Sequence, residues 1–241
     1  MKILFIGDIS GDDGKRAIAT LVRELKIKEE IDLVIANAEN TSMGRGLTKI
    51  DYKFLKNQGV DFFTMGNHTW FHKSEIYEIL TNKDIIRPLN LNSKEEIAYH
   101  GEGTRVININ DKTIRITNLL GSSIHFKDKQ TNPFLALDEL INNDEKTDLH
   151  IVDFHCETTS ESNAFFLNFK SKVSAILGTH THVQTNDHKI REKTAYITDV
   201  GMTGNQDGVI GANPEQIIEM FRNERERFKL TIKTGNYQFN A

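Results

Sequence analysis

Apolar runs of five or six residues alternate along the chain with longer stretches whose apolar residues recur at helical spacing. The runs, bounded by Gly, Asn or Asp, predict buried strands at Lys2–Gly7, Asp32–Asn37, Asp61–Met65, Leu149–Phe154 and Val173–Gly178. The amphipathic stretches predict helices at Asp13–Glu29, Thr48–Gln58, Lys73–Leu80, Thr159–Lys170 and Pro214–Arg225. This alternation is typical of an α/β protein.

The middle of the chain departs from this alternation. Arg105–Leu119 contains two β-rich runs joined by Asn110 and Asp111, which predicts a hairpin. Gly121–Asp144 has little periodicity until it becomes helical near Phe134–Ile141, and we interpret it as an insertion that caps one face. No Gly/Ser-rich, Pro-rich or single-charge tract marks a linker, so residues 1–241 are predicted to form a single domain.

Polar residues of metal-ligand and acid/base types follow all five predicted strands: Asp8, Glu39 and Asn40, Asn67 and His68, His155, and His180 with His182. Each has an ordinary alternative, since Asp8 could be a helix cap, the 39–40 pair a solvated loop, and His155 a core histidine. The carboxyl ends of parallel strands meet at one edge of a sheet, so their joint placement favours a common site. On an extended chain His180 and His182 would face the same side.

Composition excludes several functions. The 30 Lys and Arg residues against 34 Asp and Glu residues give a formal net charge of −4, so the chain lacks the basic field used in non-specific binding of nucleic acid or anionic membranes. The apolar stretch Ile3–Ile6 is too short for a signal peptide, and no run approaches the roughly 18 apolar residues of a membrane helix. One cysteine, Cys156, excludes an internal disulfide and is predicted to be a small buried hydrophobe. A cytoplasmic protein with no membrane partner is expected.

The clustered residue types indicate metal chemistry. Two carboxylates, three imidazoles and two amides, with no thiolate, suit a pair of divalent manganese, iron or zinc ions better than a closed structural zinc site. With Asp8 and Glu39 contributing the negative charge, two ions and a shared hydroxide would leave the site at about +1, which attracts phosphate. Such a hydroxide can attack phosphorus, so we predict phosphoester hydrolysis.

The other histidines are interpreted as surface or structural: His72, His100, His125, His150 and His188.

Short motifs add a family resemblance. G-D at 7–8, G-N-H at 66–68 and G-T-H-T-H at 178–182 resemble the calcineurin-like metallophosphoesterases. Longer blocks are similar to the bacterial YmdB branch of that superfamily: N-A-E-N at 37–40, T-M-G-N-H-T-W at 64–70, R-P-L-N at 87–90, D-F-H-C-E-T-T-S-E at 153–161 and I-T-D-V-G-M-T-G at 197–204. The resemblance implies a four-layer α/β/β/α sandwich with its active site at the carboxyl ends of the strands. It also implies a di-iron enzyme that hydrolyses 2',3'-cyclic nucleotides and also 3',5'-cyclic nucleotides.

The resemblance further implies a role for each site residue. Glu39 would bridge two metal ions. The other ligands of the first ion would be Asp8, Asn40 and His182. The other ligands of the second ion would be Asn67, His155 and His180. His68 would be the general acid. Two features depart from the pattern: Ser10 stands where the superfamily usually has a histidine ligand, for which Asn40 looks like the replacement, and the chain ends after one β-like run, Phe228–Lys233, shorter than in the narrower branch.

Alternatives remain for substrate and activity. Arg45 could clamp a phosphate or be an ordinary exposed arginine, and Trp70 could stack on a base or serve in packing. The same metals would serve a phosphomonoesterase or an RNA-end-processing nuclease, whose partners would be small phosphoesters or RNA ends. A regulatory nucleotide-binding module with little turnover is a further alternative. The residues leave the metal open among iron, manganese and zinc, and a homo-oligomer is compatible with the chain.

Overall fold

The computed structural model describes residues 1–91, 100–124, 130–223 and 231–241. Its strands are β1 (Ile3–Ile6), β2 (Asp8–Ile9), β3 (Leu33–Asn37), β4 (Phe62–Thr64), β5 (Thr104–Ile109), β6 (Lys112–Leu120), β7 (Leu149–His155), β8 (Ala175–Thr179), β9 (Lys189–Arg191), β10 (Thr194–Ile197), β11 (Met202–Asn205) and β12 (Tyr237–Gln238). Its helices are α1 (Gly11–Lys28), α2 (Lys49–Asn57), α3 (Lys73–Ile79), α4 (Pro133–Asn143), α5 (Thr159–Phe169) and α6 (Pro214–Asn223).

The described strands form three hydrogen-bonded sheets. One has the order β1-β3-β4 and is parallel, and a second has the order β12-β11-β2, in which β11 and β2 are parallel. Only Gly7 separates β1 from β2, so the chain passes directly from one of these small sheets to the other. The large sheet has the order β5-β6-β7-β8-β10-β9, in which β5 and β9 are antiparallel edge strands beside a parallel centre.

Alternation along the strands divides the apolar residues between layers, because successive side chains point to opposite faces of a sheet. In β3, Leu33 and Ile35 pack with residues of the large sheet, whereas Val34 packs with residues of α1, α2 and α3. In β7, Ile151 faces the β1-β3-β4 sheet and Val152 packs with α4 and α5. The molecule is therefore a four-layer sandwich in which helices cover both outer faces, as the motifs implied.

Local signals place several element boundaries. The Asn132 side chain accepts hydrogen bonds from the backbone N–H groups of Phe134 and Leu135, and Pro133 occupies the first turn, so α4 begins with a strong cap. Asn110 and Asp111 have φ angles of 48° and 60°, the left-handed conformation that a two-residue hairpin turn requires. No helix in the described ranges has both the length and the apolar character needed to cross a bilayer.

The five predicted strands and the hairpin are found within about two residues of their expected positions. The predicted helices are found as well, apart from residues 224–225 of the last one, which lie outside the described residues. Within the proposed insertion, α4 matches the expected helix; residues 125–129, including His125, lie outside the described ranges. The expectation of a strand at Phe228–Lys233 is wrong in its described part, 231–233, where Ile232 forms an isolated bridge with Ala212.

Candidate metal centre

Glu39 lies at the centre of the candidate site. It follows β3 and is 1% exposed. Its Oε1 is 3.1 Å from Nε2 of His155 and 3.2 Å from Nδ1 of His68, and its Oε2 accepts a hydrogen bond from the His68 backbone N–H at 2.8 Å. Both carboxylate oxygens of one buried glutamate therefore face residues at or just beyond the ends of other strands.

His155 joins Glu39 to two further residues. Its Nε2 is 3.0 Å from Oδ1 of Asn67 and 3.1 Å from Nδ1 of His180. Glu39, His155 and His180 each offer one ligand atom, and these atoms all lie within 4.8 Å of one another, which suits a single metal ion. The structure thus brings together the four residues expected around one metal: Glu39, Asn67, His155 and His180.

Asp8, Asn40 and His182 are the remaining three residues of the predicted ligand set. Asp8 is fully buried; its Oδ2 accepts from the His180 backbone N–H at 3.0 Å, and its Oδ1 has no hydrogen-bond partner among the described residues. Asn40 donates to the carbonyl of Gly44 at 2.9 Å, and its buried Oδ1 also lacks a partner in those ranges. Buried acceptors are normally satisfied, so two unpaired oxygens beside a glutamate fit a bound cation. His182 is more distant, with Nε2 3.9 Å from Oδ1 of Asp8.

Gly66 leaves the space in which these ligands meet. A Cβ added at Gly66 would lie 2.3 Å from Oε2 of Glu39 and 2.5 Å from Nε2 of His155. Any larger residue would push the carboxylate and the imidazole apart. The glycine of the G-N-H motif is therefore explained by close packing against the site.

The backbone at the two histidines after β8 is not extended. His180 and His182 have φ angles of 105° and 66°, and Thr181 between them donates both its backbone N–H and its hydroxyl to Oδ2 of Asp199, at 2.9 and 2.7 Å. The expectation of an extended His-x-His is wrong: a turn held by a buried carboxylate brings His180 to His155 and His182 toward Asp8. Asp199 was not predicted, although its motif, I-T-D-V-G, was noted.

Charge interactions at the site compensate for burial. Burial raises the pKa of Glu39, but the imidazoles of His155 and His68 outweigh it and hold that pKa well below its usual value. Burial lowers the pKa of His155, but Glu39, Asp8 and Asp153 raise it to about 9. Burial and the charge of His155 lower the pKa of His180 to about 3.

The two residues considered as substrate contacts, Arg45 and Trp70, lie in different environments. Arg45 is exposed on the loop after Asn40, as either interpretation required. Trp70 is half-buried and packs against Leu91, Leu120 and Ile124, which favours the packing alternative. The aromatic ring presented at this edge is that of Phe71, which is 57% exposed and was not predicted; its only sequence signal is its position three residues after His68.

Other histidines make separate contacts. His150 is bonded to the Thr117 hydroxyl at 2.8 Å, and burial together with the charge of Arg115 lowers its pKa to about 4. His72 and His100 make edge contacts with Phe71 and Tyr77, respectively. His188 lines a cavity between β1 and β10. Cys156 is buried, as expected.

Residues 4–241 match the family model described as YmdB-like protein. The chain belongs to the YmdB-like family. This YmdB-like chain is 50% identical over 236 residues to a Mycoplasma pneumoniae protein named as a phosphatase/phosphodiesterase, a match covering 96% of the present chain and 83% of that protein. It is 42% identical over 225 residues to the 2',3'-cyclic-nucleotide 2'-phosphodiesterase of Bacillus subtilis, and this match covers 92% of the present chain and 83% of that protein.

The YmdB-like fold is shared with a solved structure. A crystal structure described as a novel phosphatase of Mycoplasma pneumoniae superposes with a TM-score of 0.95 at 48% identity, covering 99% of this chain and 85% of that one. The family expected from the motifs and the α/β sandwich are therefore confirmed. The enzyme class expected from them, a phosphoric diester hydrolase, is supported by the names of these relatives.

The central position of Glu39 gives a prediction about metal content. Glu39→Gln should lose more bound metal than Asn40→Ala, because the Glu39 carboxylate is buried against His155 and His68 and supplies charge, whereas Asn40 is neutral. The metal content of both purified variants, measured by elemental analysis, checks this. Equal content in Glu39→Gln and the parent protein would show that Glu39 is not a shared ligand.

Proposed function

We propose that this protein is a metal-dependent phosphodiesterase that hydrolyses 2',3'-cyclic nucleotides. The observation that carries the proposal is the buried cluster of Glu39, His155 and His180, flanked by the unpaired oxygens of Asp8 and Asn40. This arrangement offers oxygen and imidazole ligands without thiolate, as expected for iron, manganese or zinc in a hydrolytic site. The name of the Bacillus subtilis relative supports the choice of a cyclic phosphodiester.

The residues fit two metal ions. Asp8, Glu39, Asn40 and His182 would hold one ion, and Glu39, Asn67, His155 and His180 the other. When bound, such a pair polarises phosphoryl oxygens and supplies an activated water at neutral pH. The resemblance favours iron. Cys156 is the only cysteine of the 241 residues, which fits the reducing cytoplasm in which we place the enzyme.

His68 is proposed to supply the proton that the leaving oxygen needs. Its Nδ1 lies 3.2 Å from both Nδ2 of Asn40 and Oε1 of Glu39, which fixes the ring at the edge of the cluster. The side chain is 28% exposed, so a substrate can reach it. With Nδ1 held by these neighbours, Nε2 is the nitrogen that would donate to the departing ribose oxygen.

Exposed apolar side chains lie on the loops that follow Asn40 and His68 in the chain. Met43 is 88% exposed and Phe71 is 57% exposed, on two loops that touch: a Cβ added at Gly46 would lie 3.0 Å from the Cβ of Phe71. Asn40 is bonded to the first of these loops through Gly44. Exposed apolar groups beside a polar cluster are typical of a ligand-binding edge. We assign the base of the nucleotide to Phe71, with Arg45 near its phosphate.

Metal removal and a substrate panel test the proposed activity. We expect 2',3'-cyclic nucleotides to be hydrolysed faster than 3',5'-cyclic nucleotides, linear dinucleotides or nucleoside monophosphates, and chelation followed by dialysis to abolish the activity until metal is restored. Turnover can be measured by chromatography of the products. Full activity in metal-free protein would refute the metal-dependent reaction, while preference for a monophosphate or an RNA end would support the phosphomonoesterase or nuclease alternative. Nucleotide binding without turnover would indicate a regulatory module.

Replacement of His68 should have an effect that depends on the leaving group. His68→Ala should retain its metal and lose about 10²- to 10⁴-fold in kcat on a 2',3'-cyclic nucleotide, whose ribose oxygen leaves as a basic alkoxide. A nitrophenolate is already a stable anion, so a nitrophenyl phosphodiester should be affected far less. The comparison of kcat on both substrates, with metal content as the control, checks this. Equal losses on both would identify His68 as a positioning residue instead.

Phe71 gives a prediction about substrate binding. Stacking of a base on an aromatic ring contributes about 1–3 kcal/mol, so Phe71→Ala should raise KM for 2',3'-cyclic AMP about 5- to 150-fold, and Phe71→Tyr should restore it. The matched control is Phe221→Ala, since Phe221 is 77% exposed on α6. Steady-state kinetics on the three variants measure the effect. An unchanged KM in Phe71→Ala would exclude the ring as the base platform.

A further inference from the structure

Asp153 places a carboxylate beneath the candidate metal centre, in contact with both main layers of strands. It is fully buried in β7. From the β1-β3-β4 sheet, Nδ2 of Asn37 and Oγ1 of Thr64 donate to its Oδ2 at 3.0 and 2.5 Å. From β8 of its own sheet, Oγ1 of Thr179 donates to its Oδ1 at 2.7 Å. None of these residues belongs to the predicted ligand set.

Thr179 connects this carboxylate to His155. Its Oγ1 is 2.8 Å from Nδ1 of His155, and it lies opposite His155 in the parallel pairing of β7 with β8. A hydroxyl has one proton to donate but can also accept. Three donors converge on Asp153, so the Thr179 proton points to the carboxylate. The Thr179 oxygen therefore accepts from His155, and the proton of the imidazole lies on Nδ1.

This direction of the hydrogen bonds has a consequence at the other nitrogen. With a proton on Nδ1, neutral His155 has its free electron pair on Nε2. Nε2 is the atom that lies 3.0 to 3.1 Å from Asn67, His180 and Glu39. The opposite tautomer would present an N–H group to these three residues, and an N–H group cannot bind a metal ion.

We propose that Asp153, acting through Thr179, is a positioning residue that fixes the tautomer and the orientation of His155 for metal binding. The inference rests on the metal centre of the proposed function. Partners that hold the second nitrogen of a histidine ligand typically contribute about 10- to 100-fold to metal affinity. Here a hydroxyl relays the effect of the carboxylate, and the same carboxylate joins the two sheets.

The chain offers matched variants that separate positioning from stability. Thr179→Val keeps the shape of the side chain and removes the hydroxyl that faces His155, whereas Thr179→Ser keeps the hydroxyl. Thr64→Val also removes one buried hydroxyl donor to Asp153, but among the described residues the Thr64 hydroxyl is bonded to Asp153 and not to His155. Each variant of the full chain, freed of metal by chelation, is titrated with Mn²⁺ in competition with a chelator, and its thermal unfolding is recorded.

We expect Thr179→Val to bind Mn²⁺ about 10- to 100-fold more weakly than the wild type, and Thr179→Ser and Thr64→Val to remain near the wild-type affinity. In the Zn²⁺-loaded protein, ¹⁵N NMR should show the ring proton of His155 on Nδ1 in the wild type and Thr179→Ser. Asp153→Asn should also weaken Mn²⁺ binding. If this variant fails to fold, the comparison of the threonine variants still tests the positioning role.

The outcomes distinguish the inference from the function on which it rests. Equal Mn²⁺ affinity in Thr179→Val and Thr64→Val, with tight binding by the wild type, would overturn the positioning role and leave the phosphodiesterase proposal intact. A ring proton on Nε2 in the Zn²⁺-loaded wild type would overturn it as well. Absence of Mn²⁺, Zn²⁺ and iron binding by the wild type would overturn both.

Discussion

Asp153 is a buried carboxylate in the interface between the β1-β3-β4 sheet and the large sheet, near the carboxyl ends of the strands. Apolar residues such as Phe5, Ile35, Ile116 and Ile151 pack together elsewhere between these sheets. A buried carboxylate is tolerated only when its oxygens are hydrogen-bonded, and here donors from both sheets satisfy them. Loss of one such partner costs about 1–3 kcal/mol, so the two sheets can take few relative positions. The residues that follow these strands are fixed by the same restriction.

The second constraint on the site is that segments of backbone must pass very close to the buried side chains of Glu39 and His155. Gly66 contributes no side chain, and the left-handed φ angles at His180 and His182 turn the chain sharply after β8. Non-glycine residues adopt such angles at a cost, which surrounding contacts must offset. The hydrogen bonds from Thr181 to Asp199 are those contacts. Packing and backbone conformation therefore bring together candidate ligands that lie far apart in the sequence.

The sequence predicts the scaffold better than the details of the site. The long apolar runs are strong signals because they fill two faces of a parallel strand, and residues just past them are brought to one edge by topology alone. The strands β9 to β12 were not predicted because they are short and mix apolar with polar residues, whereas the equally short β1 and β4 consist mainly of apolar residues. The contact of Asp153 with Asn37 and Thr64 was missed because it joins different sheets, and spacing along one strand does not report which residues lie across the interface. Trp70 and Phe71 are neighbours, and only tertiary packing decides which of them is covered.

The pairing of β2 with β11 joins residues near position 8 to residues near position 202, and the ligand set spans positions 8 to 182. Such distant segments meet only after most of the chain has been ordered, because closing long loops is entropically costly until the sheets dock. Metal ions consequently have no complete site to bind in the unfolded chain or in an early local fragment. Folding must be driven by the apolar layers and the buried polar contacts, and the proposed ions would stabilise the finished structure by mass action. The proposed metal ions would thus enter a site whose ligand types and positions folding has already set.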